Sequence, residues 1–124
     1  MPYVGVDIVE IARIEQAVKQ WGERFLRRLY TEAELKLCRR RPSSLALRFA
    51  GKEAVMKALG TGARGISWRE IEILAEPSGK PVVHLHGKAQ KRAAELGLGE
   101  MAISLSDSRE YAVAFAVGEA RPGK

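Results

Sequence analysis

The spacing of apolar and polar positions changes period several times along the chain, and each change marks an element. Over Tyr3 to Glu10 the period is two: Val4, Val6 and Ile8 share one face and Tyr3, Gly5, Asp7 and Val9 the other, which predicts a strand. Ile8, Ile11, Ile14, Val18 and Trp21 then recur at helical spacing, and Gly22 breaks the run. Thr31-Glu32-Ala33-Glu34 has the form of a capping box and predicts a helix from Glu32 into the Cys38 region. Pro42, with Ser43 or Ser44 as N-cap, opens a longer helix that Gly60 closes, and Thr61 to Ser67 is a glycine-rich connection.

The second half changes character. Ile71 to Leu74 and Val82 to Leu85 read as two strands joined across Glu76 to Pro81. Gly87 to Leu96 reads as a helix stopped by Gly97. Met101, Ile103 and Leu105 alternate with Ala102, Ser104 and Ser106; after a turn at Asp107 to Glu110, Tyr111, Val113, Phe115 and Val117 alternate with alanines. That pattern is an antiparallel hairpin. The class is α+β, a small, mostly antiparallel sheet packed with helices, in one domain over residues 1–119 with a frayed tail at 120–124.

Composition narrows the picture. A chain of 124 residues, 46% hydrophobic and 29% charged, reads as a single globular domain with a modest core that oligomerisation would help. The lone Cys38 excludes an internal disulfide and fits a reducing cytoplasm. MPYVGVDIVE has no basic stretch ahead of an apolar run, so neither a signal peptide nor a membrane span is expected. The net charge of +6 and pI near 9.8 favour an anionic partner: nucleic acid, an acidic protein or a phosphorylated ligand.

The candidate chemistry sits in RFAGKEAVMKALG, residues 48–60. At about 100° per residue, Glu53 and Lys57 share a stripe with Phe49, while Arg48 and Lys52 lie well round the other side. Leu47, Ala50, Gly51, Ala54, Val55 and Ala58 lie between and should pack into the core. Glu53 and Lys57 read as an ordinary i,i+4 pair, or as functional groups emerging beside buried surface. Asp7 is unusual within an otherwise uncharged strand. It needs a partner: a cation such as Lys52 or Arg13, or a metal shared with Glu53, since Mg²⁺ is commonly held by one or two carboxylates with waters and substrate phosphates. Arg13, Arg24, Arg27 and Arg28 form either a solvated face or a surface for an acidic protein. His84 and His86 share a strand face without a third ligand to complete a zinc site.

The ordered series Gly5-Val6-Asp7-Ile8-Val9-Glu10 with Arg13-Ile14, Arg48-Phe49-Ala50-Gly51-Lys52-Glu53-Ala54 with Lys57-Ala58, Gly79-Lys80-Pro81, and Ser104-Leu105-Ser106-Asp107 with Tyr111-Ala112 resembles the short bacterial phosphopantetheinyl transferases, the holo-[acyl-carrier-protein] synthases. The resemblance implies Mg²⁺-dependent transfer of 4′-phosphopantetheine from coenzyme A to a serine of acyl carrier protein, in fatty acid biosynthesis. It implies catalytic Asp7, Glu53 and Lys57, with Mg²⁺ held by Asp7 and Glu53. It further implies coenzyme A contacts from Arg48, Lys57, Gly79, Lys80 and Pro81, carrier docking on Arg13, Arg24, Arg27 and Arg28, and a homotrimer with active sites at the subunit interfaces. Many relatives carry His where Asp107 stands here, so the phosphate role of that His is not carried over. Two other classes compete: a non-catalytic carrier-protein adaptor and a small basic nucleic-acid-binding domain. The latter leaves Asp7 and Glu53 without a purpose and has only 6% aromatic residues for stacking.

Overall fold

The computed structural model describes residues 2–60 and 64–121. Strand β1 (Pro2–Glu10) leads into α1 (Ile11–Trp21), α2 (Glu23–Leu29), α3 (Glu32–Cys38) and α4 (Pro42–Leu59). A 3₁₀ turn (Trp68–Glu70) precedes β2 (Ile71–Ala75) and β3 (Pro81–Leu85), followed by α5 (Gly87–Glu95), β4 (Leu98–Asp107) and β5 (Tyr111–Ala120). The strands form two antiparallel sheets, one in the order β1-β5-β4 and one a β2-β3 hairpin. Among the described residues no helix is long and apolar enough to cross a membrane.

Helix α4 lies across the inner face of the larger sheet. Its apolar residues run nearly all round: Leu45, Ala46, Ala50, Ala54, Val55, Met56, Ala58 and Leu59 are all buried. Leu47 is only half-buried. The inner face of β5 carries Ala112, Ala114 and Ala116, each fully buried, and then buried Gly118, so helix and sheet approach closely. The period-two alternation holds, but the larger residues point outward. Val6 is 54% exposed, Ile8 60% and Phe115 46%, which inverts the usual rule that large apolar side chains face the core.

The termini of the elements follow local chemistry. The Thr31 capping box forms: the Thr31 hydroxyl accepts from the Glu34 amide and the Glu34 carboxylate from the Thr31 amide. Neither Ser43 nor Ser44 caps α4. Arg41 is the N-cap residue without a side-chain bond, and Pro42 at N1 supplies a pre-set φ and no amide to satisfy. Gly60, at φ 73°, ends α4 in the left-handed conformation. Trp21 does not join the buried stripe of α1 but stands 55% exposed at its end, and Ile8 belongs to the outer face of β1. The arginines after Gly22 sit on a separate short helix, α2, which the periodicity did not reveal. Strand β4 starts at Leu98, ahead of Met101, with a register shift between them, and β5 runs on through Ala120. The Arg121 amide still bonds Gly97, while residues 122–124, like part of the 61–67 connection, lie outside the described residues.

The smaller hairpin is held to the helices by charge. In β2 and β3 the paired residues Glu72 and His84 alternate with Ile71–Leu85 and Ile73–Val83. Among the described residues, no strand meets the edge of β2 turned from β3. Instead the Lys52 ammonium donates to the Ile71 carbonyl at 2.5 Å, the Glu34 carboxylate accepts the Ile73 amide at 2.7 Å, and the Arg48 guanidinium donates to the Ile73 carbonyl at 3.4 Å. Lys52 and Glu34 pair at 2.8 Å, both fully buried, and Lys52 also donates to the Trp68 carbonyl at 3.1 Å. Burial holds the Lys52 ammonium below its usual pKa range, with Glu34 opposing. Breaking such a pair from one side costs about 3–5 kcal/mol, because the surviving charge is left alone in the core.

Candidate active site

The site begins at a glycine. A Cβ on Gly5 would collide with the Ala54 carbonyl oxygen and come within 2.8 Å of the Ala58 nitrogen. Only glycine lets β1 lie this close to the last turns of α4. Two residues further along the same strand face, Asp7 therefore arrives beside Glu53 and Lys57, which immediately precede Ala54 and Ala58 in α4. The partner of Asp7 is Lys57, not Lys52 or Arg13. The Lys57 ammonium donates to Asp7 Oδ1 and to the Val6 carbonyl, both at 3.1 Å, and remains 53% exposed.

Glu53 completes the cluster. Its carboxyl is held above the usual range first by burial, then by the nearby Asp7 charge, with Lys57 pulling the other way. The two acids therefore repel each other, with one lysine to offset both. Hard oxygen donors in this arrangement fit a divalent cation such as Mg²⁺, whose charge would relieve the repulsion. An i,i+4 pair on a solvated helix face has no such second acid.

The other sequence-derived residues are distributed around this centre. Arg48, on the far stripe of α4, points to the edge of β2. Gly79, Lys80 and Pro81 form the tip of the hairpin: Gly79 takes φ 95°, its amide bonds the Glu76 carbonyl at 2.7 Å, and the Glu76 amide bonds Lys80 at 2.8 Å. A left-handed residue with open space around it leaves the backbone accessible there. Arg13 is exposed on α1. Arg24 and Arg28 flank a groove of about 740 Å³ lined by Trp21, Phe25, Leu29, Phe49 and Trp68. Phe49 stacks on Trp68 with ring centroids 5.1 Å apart and sits one helical turn before Glu53, so the groove runs towards the acids. Arg27 is not part of this groove; it pairs with Glu23 at 3.3 Å and Glu32 at 3.0 Å.

Other polar residues lie outside this cluster. Arg39 and Arg40 both adopt left-handed backbone, at φ 51° and 57°, in the link before α4, and Arg40 pairs with Glu23. The run Arg39-Arg40-Arg41 before a proline was the available signal. His86 bonds Glu72 at 3.0 Å rather than meeting His84. Burial pushes the Cys38 thiol up, as expected of an inert core residue. The β4–β5 turn is tied by Ser108, whose amide donates to the Tyr111 carbonyl and whose hydroxyl accepts the Tyr111 amide.

Comparison with known proteins places this arrangement. The family profile of the 4′-phosphopantetheinyl transferase superfamily matches residues 3–116. The holo-[acyl-carrier-protein] synthase of Herpetosiphon aurantiacus is 52% identical, with 95% of this chain and 98% of that protein covered. The chain belongs to the holo-[acyl-carrier-protein] synthase family. It is an enzyme, a phosphopantetheinyl transferase. Solved holo-[acyl-carrier-protein] synthases superpose closely on it. The enzyme of Helicobacter pylori, in complex with coenzyme A, gives a TM-score of 0.86 at 34% identity, covering 94% of this chain and 99% of that one. That of Neisseria meningitidis gives 0.87 at 38% identity, covering 96% and 99%. The α+β synthase fold is therefore shared over nearly the full length.

Proposed function

We propose that this chain transfers 4′-phosphopantetheine from coenzyme A to a serine of acyl carrier protein, with Mg²⁺ held by Asp7 and Glu53. The observation that carries the reading is the convergence of Asp7, Glu53 and Lys57, in which burial first and then Asp7 raise the Glu53 pKa while Lys57 opposes them. When bound, the metal would neutralise pyrophosphate oxygens and act as a Lewis acid.

The remaining steps fall to the chain's own groups. A new bond forms from the carrier serine oxygen to the β-phosphorus of coenzyme A; the bond from that phosphorus to the bridging oxygen breaks, and adenosine 3′,5′-bisphosphate leaves. The serine proton passes to Glu53 or to a water beside it, and the raised Glu53 pKa suits a proton acceptor. Lys57 already spends two hydrogen bonds on Asp7 and Val6, and its exposed third proton can meet a phosphate oxygen of the leaving group. Arg48 and the Gly79-Lys80-Pro81 tip bind the coenzyme A nucleotide. Arg24 and Arg28, with Arg13, meet the acidic carrier along the groove that leads to Glu53.

The outward apolar face of the sheet supports a homotrimer with its active sites at the subunit interfaces. Val6 and Phe115 are direct cross-strand partners there, flanked by Val4 and Ile8. With a reduced Cys38 and these substrates, the reaction belongs in the cytoplasm and feeds fatty acid biosynthesis. Intact mass spectrometry of apo acyl carrier protein incubated with this chain and coenzyme A, with Mg²⁺ and with chelator, tests the proposal. One added phosphopantetheine, lost with chelator, is the expected result. Docking without any mass gain would point to a carrier-protein adaptor instead.

A further inference from the structure

We infer that the buried Lys52–Glu34 pair is a positioning device for coenzyme A: it fixes the β2–β3 hairpin, whose tip carries Gly79-Lys80-Pro81, in one register along α4. The inference rests on the proposed coenzyme A reading for its ligand, but its geometry stands independently.

Ile71 and Ile73 sit at positions where backbone groups of β2 face away from β3, and these groups are met by side chains rather than by a strand. Arg48 and Lys52 are four residues apart on α4, about 6 Å of helix rise. Their acceptors, the Ile73 and Ile71 carbonyls, are two residues apart on β2, about 6.8 Å of strand. The repeats match, so helix and strand run antiparallel side by side with each cation opposite one carbonyl. Glu34 completes the seat from α3 by taking the Ile73 amide, and Thr31, the N-cap of α3, donates to Glu72 at 2.5 Å.

An apolar pair at these positions could fill the space, but it could not register the hairpin. A slide of β2 by one residue along α4 would replace the Ile71 and Ile73 groups facing Lys52, Arg48 and Glu34 with those of their neighbours, which point the other way, stranding polar groups in the core. The ion pair therefore specifies where the hairpin sits more than how strongly it is held. Position matters because one end of this assembly carries the nucleotide tip and the other the acids: Lys52 is the immediate neighbour of Glu53 in α4. No atom of Lys52 or Glu34 is exposed, so neither touches a substrate.

The test is the double substitution Lys52→Met with Glu34→Gln in the full chain. It removes both charges together, keeps the volume, and retains an acceptor for the Ile73 amide. The expected result is a KM for coenzyme A raised about tenfold, equivalent to roughly 1.4 kcal/mol, with kcat and the KM for the carrier changed by less than about threefold. Backbone amides of Ile71–Ala75 and Gly79 should exchange hydrogen faster than in the wild type. An unchanged KM for coenzyme A together with unchanged exchange, whatever happens to the melting temperature, would overturn the inference. If the wild type transferred no phosphopantetheine while the double variant still loosened the hairpin, the proposed function would fail and the seat would stand. Should the double variant not fold, Glu34→Gln alone keeps one acceptor oxygen, which can serve the Thr31 amide and Lys52 but leaves the Ile73 amide facing the new NH2 group, and the same split between the two KM values is expected at smaller size. Equal rises in both KM values would overturn it.

Discussion

Gly5 and Ala54 meet backbone to backbone, with no room between them for a single methyl group. That contact sets the distance from β1 to α4, and through it the distance from Asp7 to Lys57. Gly5→Ala should therefore do two things. Overpacking should cost about 1–3 kcal/mol, read as a lower urea midpoint. Turnover should fall further than the loss of folded protein explains, because Asp7 moves with the strand. A wild-type midpoint and rate would mean the backbones can part without consequence.

Glu53 ties activity to stability with opposite signs. Its carboxyl is raised by burial and by Asp7, so the folded state holds the proton more tightly than the unfolded one. The stability it contributes is complete below the unfolded pKa and is lost as pH rises through the raised folded value. Metal-free protein should accordingly melt lower as pH climbs above the ordinary glutamate range. Glu53→Gln should flatten that decline and melt higher at neutral pH, while losing about 100-fold or more in turnover. Added Mg²⁺ should raise the melting temperature of the wild type and leave Glu53→Gln unmoved. Equal stabilisation of both would remove Glu53 from the metal site.

The arginines of α2 are expected to divide. Arg24 and Arg28 border the aromatic groove, whereas Arg27 is occupied by Glu23 and Glu32. Charge reversal at Arg24 or Arg28 should raise the KM for acyl carrier protein by about five- to tenfold and flatten its salt dependence. Arg27→Glu should change it less and cost under about 1 kcal/mol in stability. Titrating each variant across ionic strength distinguishes them; a dominant effect at Arg27 would reverse the assignment.

Val6 and Phe115 face each other on the outer side of the sheet. Val6→Asp or Phe115→Asp places a charge in the centre of that apolar surface. Sedimentation equilibrium should show the wild type as trimer and the variants as monomer, with turnover lost alongside assembly. A monomeric, fully active variant would separate catalysis from assembly.

Much of this was legible in the sequence, for physical reasons that particular residues make plain. The capping box at Thr31, the strand at β1 and the glycine that ends α4 are local devices, and local chemistry determines them. The pairing of Asp7 with Glu53 was readable as a possibility because both were acids in apolar settings. Three things were not readable. The seven residues of α2 are too few to show a period. Which face of β5 points inward is a tertiary choice, and hydropathy alone points the wrong way, since the alanines and not the larger residues are buried. Lys52 was legible only as a possible partner of Asp7, because its actual partners, Glu34, Trp68 and Ile71, come from three separate segments.

The alanines of β5 act as a thickness gauge. Ala112, Ala114 and Ala116 make the layer between sheet and helix about one methyl group deep, and Ala114 is the cross-strand neighbour of Asp7 itself. Lineages of this sequence are thus free to vary the large residues on the outer face together with whatever covers them, but not these three small ones. A drift to valine at Ala114 would act like a shim, lifting α4 and separating an acid from its lysine without touching either.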